Sequence, residues 1–388
     1  VAFWLVAAAF LVVMAFNTVP TPLWPLYQQE NGISTVSITL AFSAYALGVL
    51  ISLFLGGHIS DWRGRRRVLF PALVLEIIAA VLFLSSTALP AILVARLLGG
   101  LGVGLITATA TAFCIELHAH FRPGRPAHLA DGVTTTANLG GLGAGPVVSG
   151  VLAATVPRPL TTVYVVFLVL LVLAVVAVAL APETVQRHDR SYRPQRVVVP
   201  PSARARYLVL GLAGFLAFTL FGLFTSLAPK ILGSTLGVSS PAITGLVTAL
   251  VFAFAVVAQL LLGRAAPEHQ LTWGLWSLAA GFVLLLISGM TGNLVIFLLG
   301  AAVGGVGAGL VFKGVMISAR FLAAPQARGE ALAGMFLASY LGMMIPAIGL
   351  AAAADTWSLE AGLSGLSTVV LVLIAVTGAS LARTARNR

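Results

Sequence analysis

About twelve runs of roughly twenty or more apolar residues each, set apart by short polar breaks, leave this chain very few folds to choose from. The runs lie near residues 2–26, 36–57, 68–87, 90–115, 129–155, 160–181, 207–231, 241–263, 271–290, 293–319, 330–354 and 359–382. Each is long enough to cross a hydrocarbon core of about 30 Å as a helix, for which about 20 residues are needed. Inside that core every backbone N–H and C=O must find its partner within the chain, so only helices or a closed barrel can span it; the apolar-polar alternation of barrel strands is absent. Composition agrees: 59% of the 388 residues are hydrophobic and 9% are charged, against about 25% charged in soluble domains. The chain is therefore predicted to be an all-α membrane protein with twelve transmembrane helices. Residues 2–26 are too long for the apolar part of a secretory leader and carry no small-residue cleavage pattern, so they are read as the first span.

The net charge of +11 would point to nucleic acid in a soluble protein, but its distribution says otherwise. Arg63, Arg65, Arg66 and Arg67 follow the second run, Arg122 and Arg125 the fourth, and Arg187, Arg190, Arg193, Arg196, Arg204 and Arg206 the sixth. Arg264, then Arg320 and Arg328, then Arg383, Arg386 and Arg388 keep the same alternation, while the intervening breaks hold only Arg158 and Lys230. That bias is the positive-inside pattern: it predicts a multi-pass protein of the cell (inner) membrane with both termini cytoplasmic, partnered by the lipid bilayer and by no nucleic acid. Cys114 is the only cysteine, so no disulfide can form within the chain. The histidines (His58, His118, His120, His128, His188 and His269) fall at or beyond the inner ends of the runs, and no metal site is expected at membrane depth.

The one long polar interruption, residues 182–206, divides the chain into an N-terminal six-helix bundle (1–181), a cytoplasmic linker and a C-terminal six-helix bundle (207–388). Gly99-Gly100-Leu101-Gly102-Val103-Gly104-Leu105 recurs 205 residues later as Gly304-Gly305-Val306-Gly307-Ala308-Gly309-Leu310. The same shift carries Gly32-Ile33-Ser34-Thr35 onto Gly237-Val238-Ser239-Ser240. Two separate stretches agreeing on one offset imply duplication, and an even number of spans per copy makes the repeats parallel, with a binding site expected near the bilayer midplane between them.

Charge is rationed in this chain, yet Gly57-His58-Ile59-Ser60-Asp61-Trp62-Arg63-Gly64-Arg65-Arg66-Arg67 concentrates one acid and four arginines in a single short loop. The fifth run spaces Gly132, Gly141, Gly145-Pro146 and Gly150 along one helix; glycines four apart let two helices approach backbone to backbone, and a following proline bends the span. These two motifs resemble those of the major facilitator superfamily of transporters. Gly57, Asp61, Gly64, Arg65 and Arg66 match its loop between the second and third helices, with Trp62 in place of a basic residue. The glycine spacing of the fifth run matches the seam of its twelve-helix drug:proton antiporter branch, with Ser149 where glycine is usual. The resemblance implies two pseudo-symmetric six-helix bundles, the major facilitator fold. It also implies that Asp61 caps a later helix near Glu330 while Arg65 pairs with an acid of the first half, closing a cytoplasmic gate.

Further candidates follow from burying polarity in lipid. Arg96 lies in a glycine-rich run, where a charge at bilayer depth costs about 2.5–3.5 kcal/mol and usually faces a polar interior. Arg96, Gly100, Val103 and Thr107 share a helical stripe, and the resemblance implies a cavity role for that arginine. Gly100 and Gly104 read as a helix seam. Glu76 is the acid nearest mid-membrane and a candidate proton carrier; Lys313 could add a second cation to the cavity. Asn17, Trp24, Asn138, Phe221, Thr225 and Tyr340 complete the expected substrate cavity.

Together these readings predict a secondary active transporter that exports a small amphipathic molecule or drug in exchange for protons by alternating access. An importer or exchanger of organic anions or another small metabolite is the alternative that Arg96 and Lys313 permit. An intramembrane enzyme would need a nucleophile-base pair or metal ligands at membrane depth, and neither is visible. Protons and a small-molecule substrate are the expected partners; no cofactor is expected, and the chain is expected to act as a monomer.

Overall fold

The structure, a computed structural model, describes residues 1–121, 128–185, 192, 194–195, 200–323 and 328–386. Arg122, Arg125, Arg187, His188, Arg190, Arg193, Arg196 and Arg388 lie outside the described residues. Among the described residues, twelve helices are long and apolar enough to cross a membrane. They are α1 (Ala2–Asn31), α2 (Thr35–Gly56), α3 (Arg65–Ser85), α4 (Leu89–Phe121), α5 (His128–Thr155), α6 (Pro159–Leu180), α7 (Pro201–Ser226), α8 (Pro241–Leu262), α9 (Pro267–Thr291), α10 (Leu294–Leu322), α11 (Arg328–Ala354) and α12 (Leu359–Arg383). No strand occurs among the described residues. Each helix coincides with one apolar run, and the differences are at the ends: α4 continues six residues past 115, through Glu116 and His118, because a helix can run on beyond the hydrocarbon once its polar residues reach the interface.

Local chemistry sets the ends. In α1, Pro20, Pro22 and Pro25 remove backbone donors, and the helix tightens into a short 3-10 turn at Thr21–Leu23 before resuming. Ser34 caps α2 by accepting from the Ser37 amide at 3.1 Å, and the Asn293 side chain caps α10 by accepting from Val295 and Ile296 at 2.9 and 3.2 Å.

The chain forms two compact units, residues 1–195 with 240–245, and residues 196–239 with 246–388. In the first, α4 packs against α2 and α3, α1 against α4, α5 and α6, and α3 against α6. In the second, α9 packs against α10 and α12, and α7 against α10, α11 and α12.

The 205-residue repeat is visible in how the glycines pack. A Cβ at Gly100 would run into the Tyr45 carbonyl of α2, and one at Gly305 into the Val251 carbonyl of α8. Gly102 abuts α3 at the Ala72 carbonyl, and Gly307 abuts α9 at the Leu278 amide and the Gly274 carbonyl. In both copies, then, the glycine-rich helix is pressed backbone to backbone on one side by the second helix and on the other by the third, which only residues without side chains permit.

Candidate functional site

The charged loop is built around one turn. Ser60–Arg63 make a short helical turn, Gly64 follows with φ of 106°, and α3 starts at Arg65. The Arg65 side chain, 8% exposed, is held on three sides: Nη1 donates to Asp61 Oδ1 at 2.5 Å and to Ser60 Oγ at 2.7 Å, Nη2 to Glu116 Oε1 at 2.6 Å, and Nε to both Glu116 oxygens at 3.2 Å. Thr184 Oγ1 donates to Glu116 Oε2 at 2.5 Å. Glu183 accepts the free amides of Arg65 at 2.9 Å and Arg66 at 3.1 Å, an anion on the positive end of α3. Arg66 turns its guanidinium toward the Phe70 ring, 5.8 Å away. Gly57, by contrast, has ordinary helical dihedrals (φ −57°, ψ −26°).

Gly64 is the residue of this loop whose backbone calls for glycine. Besides its positive φ, a Cβ would stand 2.7 Å from Glu183 Oε2. Gly64→Ala is expected to cost about 1–3 kcal/mol and to lower the thermal midpoint of the purified protein in detergent; a melt that overlays the unmodified chain would contradict this.

Deeper in the first unit, four helices contribute to one polar cluster. Glu76 on α3 is fully buried. Its two oxygens accept from Asn17 Nδ2 at 3.1 and 3.0 Å, and the same amide reaches the Val13 carbonyl at 3.0 Å. Arg96 on α4, 3% exposed, donates from Nη1 to the Asn17 carbonyl at 2.7 Å and lies 4.4 Å over the Tyr45 ring of α2. Among the described residues no ion pair joins Arg96 to Glu76: Asn17 stands between them, its side chain on the acid and its carbonyl on the cation. Arg96 Nε is buried without an acceptor. Beside the cluster the Tyr27 hydroxyl bonds to that of Tyr164 on α6 at 3.0 Å, and Tyr164 stacks on Phe83.

Two glycines of α4 make the space. A Cβ at Gly102 would lie 2.5 Å from Glu76 Oε1, and one at Gly99 2.6 Å from Asn17 Oδ1. In the second copy the repeat puts Gly281 where Glu76 stands and Ala301 where Arg96 stands. There the position-equivalent pair, Gly281 and Gly304, brings α9 and α10 together, a Cβ at Gly281 lying 2.5 Å from the Gly304 Cα. The acid and the cation therefore belong to one copy alone.

Several expected cavity residues are placed differently. Asn17 is turned onto Glu76, so it is part of the charge cluster. The stripe Arg96, Gly100, Val103, Thr107 does not form an open wall: Gly100 is pressed on α2, Val103 is buried, and half-buried Thr107 donates to its own helix at Val103. Gly104 meets Ser52 and the Val49 carbonyl of α2. Lys313, half-buried, donates from Nζ to the Gln259 carbonyl at 3.3 Å in the last turns of α8. Phe221 is stacked on Phe252, Thr225 bonds its own helix at Phe221, and Tyr340 packs edge-on against Phe218, so all three belong to the core of the second unit. Trp24 is buried with no acceptor for its indole N–H, which leaves it able to serve a ligand.

In α5, Gly141 faces Leu11 and Met14 of α1 and Gly145 faces Ala15 and Thr18. Gly150 meets the Pro241 carbonyl, and Gly245 meets that of Pro146. Gly132 lies half-buried and takes the Thr136 hydroxyl on its carbonyl at 2.9 Å. Between them Thr136–Gly140 widens into a π turn that carries half-buried Asn138, a local loosening common at functional sites. Sequence reasoning missed this turn, whose only signal is the run of glycines before Pro146. It also missed Glu183 and Thr184, which follow α6 directly and are drawn to the loop because α6 ends on the face from which α3 begins. No group of three or more His, Cys, Asp or Glu side chains with ligand geometry occurs among the described residues.

The family model described as Major Facilitator Superfamily matches residues 5–346. An uncharacterized MFS-type transporter of Mycobacterium tuberculosis is 33% identical over 107 residues, 28% of this chain and 15% of the relative's length. The arabinose-proton symporter of Bacillus subtilis is 30% identical over 77 residues, 20% of this chain and 17% of its own length. These matched stretches thus span a small part of each relative. Among solved structures, the human organic anion transporter MFSD10 superposes with a TM-score of 0.73 at 18% identity, covering 97% of this chain and 98% of the other. The nucleoside transporter NupG (D323A mutant) gives 0.74 at 12% identity, covering 98% and 100%. At these identities the likeness is one of fold.

Proposed function

We propose that this chain, which belongs to the major facilitator superfamily and is by its fold a secondary active transporter, exports a small amphipathic molecule or drug across the inner membrane in exchange for protons. The observation that carries the reading is the Glu76–Asn17–Arg96 cluster: one titratable carboxyl, fully buried at membrane depth, whose charge is balanced by a cation through a shared residue. Protonation of Glu76 removes the negative charge and loosens its hold on the Asn17 amide, leaving Arg96 uncompensated. Reorientation of α1 against α3 and α4 answers that imbalance, so a proton entering from one side changes which side of the membrane the site serves. Both termini and the arginine loops lie in the cytoplasm in this scheme. Arg65, held by Asp61 and Glu116, keeps the loop rigid.

The driving force suffices. One proton moving down 100 mV and one pH unit releases about 2.3 plus 1.4 kcal/mol, enough for a several-hundred-fold gradient of a neutral solute. The test is a panel of amphipathic compounds in proteoliposomes, with and without a pH gradient. Uphill movement that collapses when the gradient is dissipated supports the reading. Counterflow of organic anions indifferent to the gradient would replace it by the exchanger alternative.

A further inference from the structure

Within the second unit a groove of about 790 Å³ runs along α9 and α12. Its floor is apolar: Leu271, Leu275 and Ile374 are buried beneath it, while Trp276 stands 75% exposed at its edge. On α12 the lining extends from Leu371 to Ala382, a rise of about 17 Å along the helix, close to half of a hydrocarbon core of about 30 Å. At one end, where α7 and α9 begin and α12 finishes, it reaches Arg206, Glu268 and Thr272. The groove is thus one leaflet deep, apolar along its length and charged at a single end.

That end has the chemistry of an anion site. The Arg206 side chain is 18% exposed, its Nε is buried without an acceptor, and its ion pair to Glu268 is long, 3.5 Å, to a carboxylate that is 58% exposed. Arg204, two residues before it, and Arg383, next to the lining residue Ala382, are exposed cations at the same helix ends. Cationic side chains thus outnumber acidic ones at these helix ends, and Arg206 is the one that lines the groove. We infer that the groove binds an anionic phospholipid of the cytoplasmic leaflet, with the headgroup phosphate on Arg206 and one acyl chain lying between Trp276 and α12. The assignment of leaflet rests on the orientation proposed above. A charged headgroup at the basic end and a chain of leaflet length in the apolar trough account for both halves of the groove, which a wholly apolar or wholly soluble ligand does not.

Trp276 supplies the readout, because bromine atoms on an acyl chain quench indole fluorescence on contact. The full-length chain is reconstituted in vesicles of a neutral lipid with increasing mole fractions of brominated phosphatidylglycerol or brominated phosphatidylcholine. The Trp276 signal is isolated by difference from Trp276→Phe. The anionic lipid is expected to reach half-maximal quenching at about one fifth of the mole fraction the zwitterionic lipid needs, the preference that one arginine at the surface confers. Arg206→Gln is expected to abolish that preference and Arg206→Lys to keep it. Gly378→Phe, at a position where a Cβ would meet nothing within 4 Å, is expected to fill the trough and reduce quenching by both lipids. Equal quenching by the two lipids in the unmodified chain, or a preference that survives Arg206→Gln, would overturn the proposal, the first meaning ordinary boundary lipid. Orientation is read separately from a cysteine placed at Ser202 in a Cys114→Ser background. Labelling by an impermeant maleimide from outside the cell would refute the cytoplasmic orientation while leaving the lipid preference to be judged on its own result.

Discussion

Glu76→Gln is expected to leave a folded, membrane-inserted protein that still exchanges substrate but no longer accumulates it, so that the several-hundred-fold gradient available from a proton falls to none. Glutamine keeps the size of the side chain and the acceptor that takes the Asn17 amide, and the space left by Gly99 and Gly102 accommodates it without displacement. What it lacks is a proton to take or release. In proteoliposomes this variant should therefore carry labelled substrate in counterflow at a rate near that of the unmodified chain, and show no response to an imposed pH gradient. Uphill transport surviving in Glu76→Gln would move the coupling role to another group; loss of counterflow as well would make Glu76 a structural or substrate-binding residue.

Much of this was legible before the structure, and the exceptions share a physical cause. Length and apolarity locate twelve spans because lipid forces backbone hydrogen bonds inward, whatever the tertiary partners. The 205-residue offset foretells which helix pairs meet, since the same glycines clear the same approaches in both copies. Side-chain partners across helices are another matter. Asn17 reads as a cavity group because nothing along α1 reveals that α3 places an acid 59 residues on within reach of its amide. Gly99 reads as one more glycine of a rich run, and its reason lies in Asn17 Oδ1, 2.6 Å from where its Cβ would be. Glu183 looks like the start of a linker and is in fact the cap of α3. The carbonyl that the Lys313 amine meets, Gln259 on α8, was equally hidden, because helix depth is readable from sequence but helix rotation is not.

The bridging position of Asn17 makes Glu76 and Arg96 energetically one unit, which a double-mutant cycle can measure. Arg96→Met alone leaves a fully buried carboxylate beside a lost cation and strips the Asn17 carbonyl of its donor; breaking such a buried pair typically costs about 3–5 kcal/mol. Adding Glu76→Gln removes the charge that had become uncompensated, so the double variant is expected to be more stable than the sum of the single effects predicts, by about 1–3 kcal/mol. It will not regain full stability, because the Asn17 carbonyl still lacks its partner, an unmet buried acceptor worth about 1–3 kcal/mol. The readout is unfolding of purified protein in detergent, since none of these variants retains coupled transport. Pairing Glu76→Gln with Lys313→Met provides the control: Lys313 sits in the other unit on the Gln259 carbonyl, and those two effects should add within about 0.5 kcal/mol. Additivity in the Glu76–Arg96 cycle of the same quality would mean that Asn17 insulates the two charges from each other, and a proton on the acid would then have no means of reaching α4.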